Sequence, residues 1–267
     1  MYYKMKHYFL IVYYLGFIKC EKEGFMVGGE VAHVKHFPHS AFLVIKTGKK
    51  NQAYLCGASI VNQRIMLTVA HCLDTCSFQN KKGYTMSVAV GESYYPDGFV
   101  HKVNNCYVHE DFNWEYLDAD IALMKLKKNL EFSLNVQRVA LMRRRPYNDE
   151  AQVAGWGLLQ EDPKVKTKYL YYINQQILSM KECRQLCVDF CHVSEGTLCA
   201  ASKDRYEAYA SFGDSGTALI VSGYIQVGIV SYTVDTDYRR GVVTFYTDTS
   251  YYYDWIKRNA KKLYCNG

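Results

Sequence analysis

The sequence lacks several features that would place it in other protein classes. No Asn-x-Ser/Thr acceptor occurs anywhere in the chain, so N-glycosylation is not expected. Internal repeats, low-complexity tracts and long linkers are absent, which argues against repeat architectures. Beyond the first twenty residues, no apolar run is long enough to span a membrane as a helix. Helical periodicity is scarce before residue 250, so a helical fold is not indicated.

The charge balance gives little support to a nucleic-acid partner. The 267 residues carry a formal net charge of +6, and Lys4, Lys6 and Lys19 contribute three of these charges. The +3 that remains without them is too small to indicate nucleic-acid binding. Arg143-Arg144-Arg145 forms the one dense basic run, which is typical of a solvated loop. A polyanion site or a proteolytic cleavage point are the alternatives for this run.

The first twenty residues have the pattern of a targeting segment. Basic residues precede an apolar stretch of eleven residues, Tyr8–Ile18, which Lys19 and Cys20 follow. This stretch is too short to cross a bilayer as a helix, so we predict a signal peptide at 1–20. A short propeptide at 21–25 and a mature domain at 26–267 follow. The mature protein is expected to be secreted and extracellular, with no membrane contact after signal removal; an uncleaved anchor is the alternative.

Strand-length apolar segments between turn signals predict an all-β protein. They are spaced as in a sandwich or barrel, and they comprise Ala41–Ile45, Ala58–Val61, Ile65–Ala70, Met86–Val90, Ile121–Leu126, Gln152–Ala154, Ala218–Val221, Ile225–Ser231 and Val242–Tyr246. Near the end, apolar and basic residues alternate with helical spacing over about 250–262. This pattern predicts one amphipathic terminal helix.

Ten cysteines in an exported chain indicate disulfides. One group also has the residue types of a metal cluster, namely Cys183, Cys187, Cys191, Cys199 and His192. Export favours oxidation of these thiols over metal binding, so no metal site is predicted.

Three short segments carry residues suited to nucleophilic catalysis. They are Thr68-Val-Ala-His71-Cys72, Asp118-Ala-Asp120-Ile-Ala-Leu and Gly213-Asp214-Ser215-Gly216. A hydroxyl is a poor nucleophile at neutral pH and needs an adjacent base, a role that suits a histidine. Asp120 precedes a buried strand, where a carboxylate is costly unless it is paired. The Nδ1–H of His71 is its natural partner.

From Met26 to about Ala260 the chain resembles trypsin/chymotrypsin-like serine proteases. In the family's order, it contains Met26-Val-Gly-Gly, Cys56-Gly-Ala-Ser-Ile-Val, Thr68–Cys72, Asp120-Ile-Ala-Leu, Gly155-Trp156-Gly157, Gly213–Gly216, Gly228-Ile-Val-Ser231 and Asp254-Trp255-Ile256. The resemblance implies two antiparallel six-stranded β-barrels, at about 26–140 and 141–250, with a C-terminal α-helix. The active site would lie between the barrels.

The resemblance also assigns roles to residues. Ser215 would be the nucleophile, His71 the general base and Asp120 the residue that orients it. The backbone N–H groups of Gly213 and Ser215 would form the oxyanion hole. Asp214 would pair with the α-amino group that cleavage frees on Met26. No cofactor is implied, because the segment after Glu92 does not match the calcium loop of trypsins.

Cysteine pairing follows in part from the resemblance. It implies Cys56–Cys72 and Cys183–Cys199, while Cys76–Cys106 is an expected additional bridge and Cys187–Cys191 a weaker one. Cys20 could pair with Cys265 only if the signal is cut before it. Two other disulfides of the family are missing as whole pairs.

The predicted specificity pocket departs from that of trypsins. Its residues would be Tyr209, Phe212, Ser231, Tyr232, Thr233 and Gly241. Tyr209 forms the floor where trypsins have Asp, Thr233 narrows the entrance, Phe212 lies at the rim and Gly241 keeps the opposite wall open. We therefore expect poor cleavage after Arg or Lys and a preference for small or medium apolar residues.

Activation is the last departure. The bond to be cut follows Phe25, and the nearest basic residue is Lys22, so a non-tryptic activating protease is expected. The leading hypothesis is a secreted serine endopeptidase that acts as a monomer on polypeptides and binds a protein protease inhibitor. The alternative is a weakly active or inactive protease-like binding or regulatory protein.

Overall fold

A computed structural model describes residues 26–46, 53–78, 84–146, 150–157, 168–187, 191–203, 208–236 and 241–265. The predicted signal peptide at 1–20 and propeptide at 21–25 lie outside the described residues. In the described ranges, fourteen strands and two α-helices form the fold. No helix in these ranges is long and apolar enough to cross a membrane.

Six strands close the first barrel, in the order β2-β3-β4-β7-β6-β5 with every neighbouring pair antiparallel. They are β2 (Ser40–Lys46), β3 (Ala53–Ile60), β4 (Ile65–Thr68), β5 (Thr85–Val90), β6 (Phe99–Val108) and β7 (Ala122–Leu126). Their inward side chains include Leu43, Ile65, Leu67, Val88 and Leu123, all fully buried. Burial of this apolar surface is the main source of the barrel's stability.

Six more strands close the second barrel as the ring β9-β10-β11-β14-β13-β12. They are β9 (Glu150–Gly155), β10 (Tyr171–Ile177), β11 (Thr197–Ala201), β12 (Ala218–Val221), β13 (Ile225–Asp235) and β14 (Val242–Asp248). Two short strands join its rim: β1 (Glu30–Val31) pairs with β10, and β8 (Ala140–Leu141) pairs in parallel with β13. The two closed barrels confirm the predicted fold class.

The terminal helix α2 spans Tyr253–Cys265, so it begins and ends three residues later than the predicted 250–262. Its apolar face, which includes Trp255, Ile256 and Leu263, packs on the first barrel. The buried ammonium of Lys125 on β7 donates to the carbonyl oxygen of Tyr264 at 3.3 Å. This hydrogen bond satisfies one of the carbonyls that the end of a helix leaves without a partner. The helix therefore closes one end of the first barrel.

A short helix, α1 (Met180–Leu186), was not expected from the sequence. Ser179 accepts a hydrogen bond from the N–H of Glu182, while the Glu182 carboxylate accepts one from the N–H of Ser179. This reciprocal capping box stabilises a helix of only seven residues, too short for its periodicity to be evident in the sequence.

Four disulfides connect the described cysteines. They are Cys56–Cys72, Cys76–Cys106, Cys183–Cys199 and Cys187–Cys191, as expected. The four thiols considered for a metal cluster are therefore all in disulfides. Cys265 is free and exposed, and its conditional partner Cys20 lies outside the described residues.

Candidate active site

His71 and Asp120 form a close pair at the edge of the first barrel. His71 follows the end of β4 and begins a 3₁₀ segment, whereas Asp120 lies just before β7. The Nδ1 atom of His71 lies 2.8 Å from Oδ2 of Asp120, and the His71 backbone N–H donates to Oδ1 at 2.9 Å. Since Asp120 is fully buried and acts as an acceptor, its contact with Nδ1 fixes the proton there. The Nε2 atom of His71 is therefore the one available as a base.

Two residues of the second barrel hold Asp120 from its other side. The hydroxyl of Ser231 on β13 donates to Oδ2 at 2.5 Å, and the hydroxyl of Thr247 on β14 donates to the Asp120 carbonyl at 2.7 Å. Asp120 follows Ala119, whose φ of +50° is unusual for a residue with a side chain. The carboxylate is thus fixed by both barrels, which places the pair at the boundary between them.

Ser215 lies beside this pair in a tight turn. Gly213 and Gly216 have φ values of +98° and +89°, which glycine adopts readily. The Ser215 carbonyl accepts from the N–H of Gly57 at 2.7 Å and lies 3.9 Å from Sγ of Cys72, the neighbour of His71. The structure therefore packs the Ser215 turn against the loop that begins at His71.

The backbone N–H groups of Gly213 and Ser215 donate to no other residue within the described ranges. The neighbouring N–H groups of Asp214 and Gly216 bond to the carbonyls of Ser211 and Val230, which holds the turn on both sides. Two unpaired donors on one tight turn are suited to binding an oxygen that gains negative charge.

The Asp214 side chain is buried against Gly155 and Gly157, at the end of β9 and just after it. Its carboxylate is fully buried and accepts hydrogen bonds from the N–H groups of Gly157, at 2.8 Å, and Ser211, at 3.0 Å. A side chain on Gly157 would overlap the carboxylate. Burial raises the pKa of Asp214 to about 7, although these two hydrogen bonds oppose the increase. Among the described residues, no Lys, Arg or His side chain forms an ion pair with Asp214.

The N-terminal end of the described chain is buried close to this region. Met26 is fully buried and packs in the apolar cluster of the second barrel that contains Val230 and Tyr246. The carbonyl oxygen of Val27 accepts from the N–H of Tyr209 at 3.1 Å, on the segment that leads to Asp214. Residues 26 and 27 therefore pack against the segment that leads to Asp214.

Three of the predicted specificity residues, Ser231, Tyr232 and Thr233, lie on β13. Tyr232 stacks on Phe245 with ring centroids 4.8 Å apart, and its hydroxyl donates to the carbonyl of His192. The Thr233 hydroxyl donates to the carbonyl of Ala210 at 3.0 Å, which ties this wall to the segment before Ser215. Tyr209 is half-buried, and Phe212 is 81% exposed, as expected for a residue at the rim.

Gly241 lies just before β14, where its carbonyl accepts hydrogen bonds from the N–H and hydroxyl of Thr236. Its φ of +74° suits a turn. In the ladder, Thr233 pairs with the fully buried Thr244, so these two residues are lateral neighbours in the same sheet. The role of Gly241 in keeping one wall of the pocket open stays a prediction.

Comparison with known proteins identifies the family. A family model described as Trypsin matches residues 26–256. Hypodermin-B of Hypoderma lineatum is 31% identical over 243 residues and covers 90% of each chain. Trypsin beta of Drosophila erecta is 30% identical over 243 residues and covers 89% of each. The chain belongs to the trypsin family. Its predicted triad therefore lies in the setting of a serine protease family.

Solved structures agree with this assignment to the trypsin family. The structure titled HL collagenase has a TM-score of 0.74 and is 25% identical, with 88% of this chain and 98% of that one covered. The scabies mite inactivated protease paralogue S-D1 has a TM-score of 0.75 over 88% of this chain and 97% of that one. At 19% identity, the second likeness shows the shared fold alone.

Two residues near this trypsin-family site were not flagged from the sequence. Thr247 donates to the Asp120 carbonyl, and Thr244 pairs with Thr233 in the ladder. Both lie on β14, so these contacts depend on the register of that strand. That register changes at a bulge between Val230 and Tyr232, which the sequence does not reveal.

Proposed function

We propose that this chain is a secreted serine-type endopeptidase that hydrolyses peptide bonds through an acyl-enzyme formed on Ser215. The family assignment supports a peptidase. The observation that carries the proposal is the buried pairing of His71 with Asp120 at 2.8 Å, with the Ser215 turn packed against the same loop. This is the arrangement that activates a hydroxyl for nucleophilic attack.

In the first step, Oγ of Ser215 attacks the carbonyl carbon of the scissile peptide, and Nε2 of His71 takes the hydroxyl proton. Asp120 stabilises the resulting imidazolium, because its carboxylate remains bound to Nδ1. The C–N bond then breaks, and the amine leaves with the proton from His71. A water molecule releases the acid in a second, equivalent cycle that regenerates Ser215.

The N–H groups of Gly213 and Ser215 would bind the oxyanion of each tetrahedral intermediate. Their lack of other partners supports this role, because no existing hydrogen bond has to break. Loss of one such donor costs about 10²–10³ in rate in a serine protease of a different fold. A change that reorients the turn should therefore lower turnover more than substrate affinity.

Activation would follow cleavage of the bond between Phe25 and Met26. The new α-amino group of Met26 would be the cationic partner of Asp214, a buried carboxylate that forms no ion pair with any described residue of the uncut chain. Burial of Met26 and the contact of Val27 with Tyr209 support this position for the new terminus. Because Phe25 and not a basic residue immediately precedes the bond, a non-tryptic protease would make the cut.

The specificity would differ from that of trypsin. Tyr209 supplies no carboxylate to pair with an Arg or Lys side chain of the substrate. Thr233, at the predicted entrance to the pocket, favours side chains smaller than an aromatic ring. The partners would be polypeptide substrates and a protein protease inhibitor that occupies the same cleft, and the enzyme would act as a secreted monomer.

Labelling with a fluorophosphonate probe tests this proposal without knowledge of the substrate. The cut protein should label on Ser215, and Ser215→Ala should abolish labelling while the fold is retained. A variant at Ser211, which lies on the same segment, provides a matched control, because Ser211→Ala keeps the nucleophile and should still label. Equal labelling of the wild type and Ser215→Ala would contradict the proposal.

A protease-like binding protein is the second candidate. The observation in its favour is Asp214, whose carboxylate is bound by two N–H groups among the described residues of the uncut chain and has a pKa of about 7. A chain never cut after Phe25 would keep this state. N-terminal sequencing of the protein from its natural source separates the candidates: Met26 at the terminus supports the enzyme, and an earlier terminus without labelling supports the binding protein.

A further inference from the structure

A cavity of about 500 Å³ lies between helix α2 and the first barrel, away from the triad. The turn at Asn62 and Gln63, at the start of β4, forms one wall. His71 lies beyond the other end of the same strand. At about 3.3 Å per residue, the chain between Gln63 and His71 spans roughly 20 Å or more. The cavity is therefore distinct from the proposed active site.

Three cations surround this cavity without a carboxylate among the lining residues. They are Arg138, Lys257 and Lys261, all exposed, and none has an ion-pair partner within the described ranges. Lys257 and Lys261 are four residues apart on α2, so their like charges lie on one face of the helix and repel each other. An anionic partner would relieve that repulsion.

Nearby acids are already paired elsewhere. Asp254 at the start of α2 accepts two hydrogen bonds of 2.6 Å from the guanidinium of Arg143. Glu110 is the partner of Arg258, which is on α2 but not in the cavity lining. The positive charge at the cavity is therefore not neutralised by the acids that pair on this helix.

The interior of the cavity is apolar. Phe132, Leu141, Ile256 and Tyr264 line it, and the side chains of Phe132 and Tyr264 are 45% and 47% exposed. A flat membrane surface would not enter such a concavity, and a sulfated sugar would gain nothing from its apolar walls. A peptide with acidic residues around one apolar side chain would use both features.

We propose that this cavity is a docking site for an acidic peptide segment of a protein partner, with one aromatic or aliphatic side chain inserted between α2 and Phe132. Carboxylates on either side of that side chain would pair with Lys257, Lys261 and Arg138. The site would act independently of Ser215, so its occupation does not require the chain to be an active protease.

Direct binding tests the proposal, with the full secreted protein carrying Ser215→Ala so that the probe is not cleaved. The probe is a short fluorescein-labelled peptide in which glutamates flank one phenylalanine, followed by fluorescence anisotropy. The double variant Lys257→Glu/Lys261→Glu should weaken binding by about tenfold or more. The control Lys35→Glu/Lys181→Glu changes the net charge equally at two exposed lysines outside the cavity, and it should bind like the parent.

A second variant tests the apolar contact without a change of charge. Phe132→Ala removes an exposed side chain, so it should weaken the peptide while the thermal unfolding curve stays the same. A peptide in which Ala replaces Phe should also bind more weakly to the parent protein. Absence of binding, equal loss in the control double variant, or tighter binding of a sulfated oligosaccharide or anionic vesicles than of the peptide would overturn the proposal.

Discussion

The side chain of Thr217 occupies the space beside Gly57 that a Cβ atom at Gly57 would need. Thr217 follows Ser215 by two residues, and Gly57 donates its N–H to the Ser215 carbonyl at 2.7 Å. Gly57, on β3, leaves the room that the Thr217 side chain fills. The position of the predicted nucleophile therefore depends on the fit between these two residues.

Gly57→Ala should destabilise the fold and disturb the Ser215 turn. The new methyl group would overlap Oγ1 of Thr217, at a cost of about 1–3 kcal/mol in free energy of unfolding. Adding Thr217→Gly should restore part of this loss but not all of it, because the backbone N and Cα of Thr217 also lie within 3.0 Å of the added atom. Urea unfolding of both single variants and the double variant measures this coupling; strictly additive effects would exclude the contact.

Asp120→Asn should leave the fold intact and lower turnover by about 10⁴-fold, the figure for the same change in a related protease. The amide would favour the wrong tautomer of His71, so Nε2 could no longer act as the base. Ser231→Ala removes a hydrogen bond to the same carboxylate and should have a smaller effect. The measurement is kcat on a peptide substrate, and retention of full turnover in Asp120→Asn would refute the orienting role.

The stability of the uncut chain should depend on Asp214 between about pH 4 and pH 7. Its pKa rises from 3.8 to about 7 on folding, so the folded state binds the proton more tightly than the unfolded state. The stabilisation is therefore complete below the unfolded pKa and is lost as pH rises through about 7. Urea unfolding at several pH values should show this fall in the uncut wild type and not in Asp214→Asn.

The same experiment on the cut protein gives the complementary result. An α-amino group bound to Asp214 would favour the carboxylate, so the fall in stability towards neutral pH should become smaller. An identical pH profile in the cut and uncut proteins would show that the Met26 amine does not reach Asp214.

Specificity profiling should give few cleavages after Arg or Lys. The reason is that Tyr209 carries no charge to pair with a basic side chain of the substrate. Thr233→Gly should raise kcat/KM for larger residues such as Phe relative to Ala, because Thr233 is predicted to narrow the entrance to the pocket. A library profile dominated by Arg and Lys would overturn this expectation.

Much of the fold was accessible from the sequence because apolar strands alternate with clear turn signals. The predicted segment Ala218–Val221 coincides with β12, and most others differ from the strands only at their ends. The segments named from the sequence do not include β1, β6, β8, β10 or β11. β6 carries several exposed polar residues, and β10 includes Asn174, Gln175 and Gln176, so neither has a clear apolar pattern.

The site was predicted less evenly than the fold. His71, Asp120 and Ser215 lie in short motifs whose meaning is local, and the structure pairs His71 with Asp120 and packs the Ser215 turn against the Cys72 loop. The register of β14 depends on a bulge in β13, which the sequence does not reveal. Contacts such as Thr247 with Asp120 and Thr217 with Gly57 depend on tertiary packing, which motif spacing does not encode.

The most direct test of the proposed function combines N-terminal sequencing with fluorophosphonate labelling of the protein from its natural source. We predict a terminus at Met26, labelling of Ser215 and loss of labelling in recombinant Ser215→Ala prepared with the same terminus. A protein with Met26 at its terminus and Asp214 intact that does not label would contradict the proposal that this chain is a serine endopeptidase.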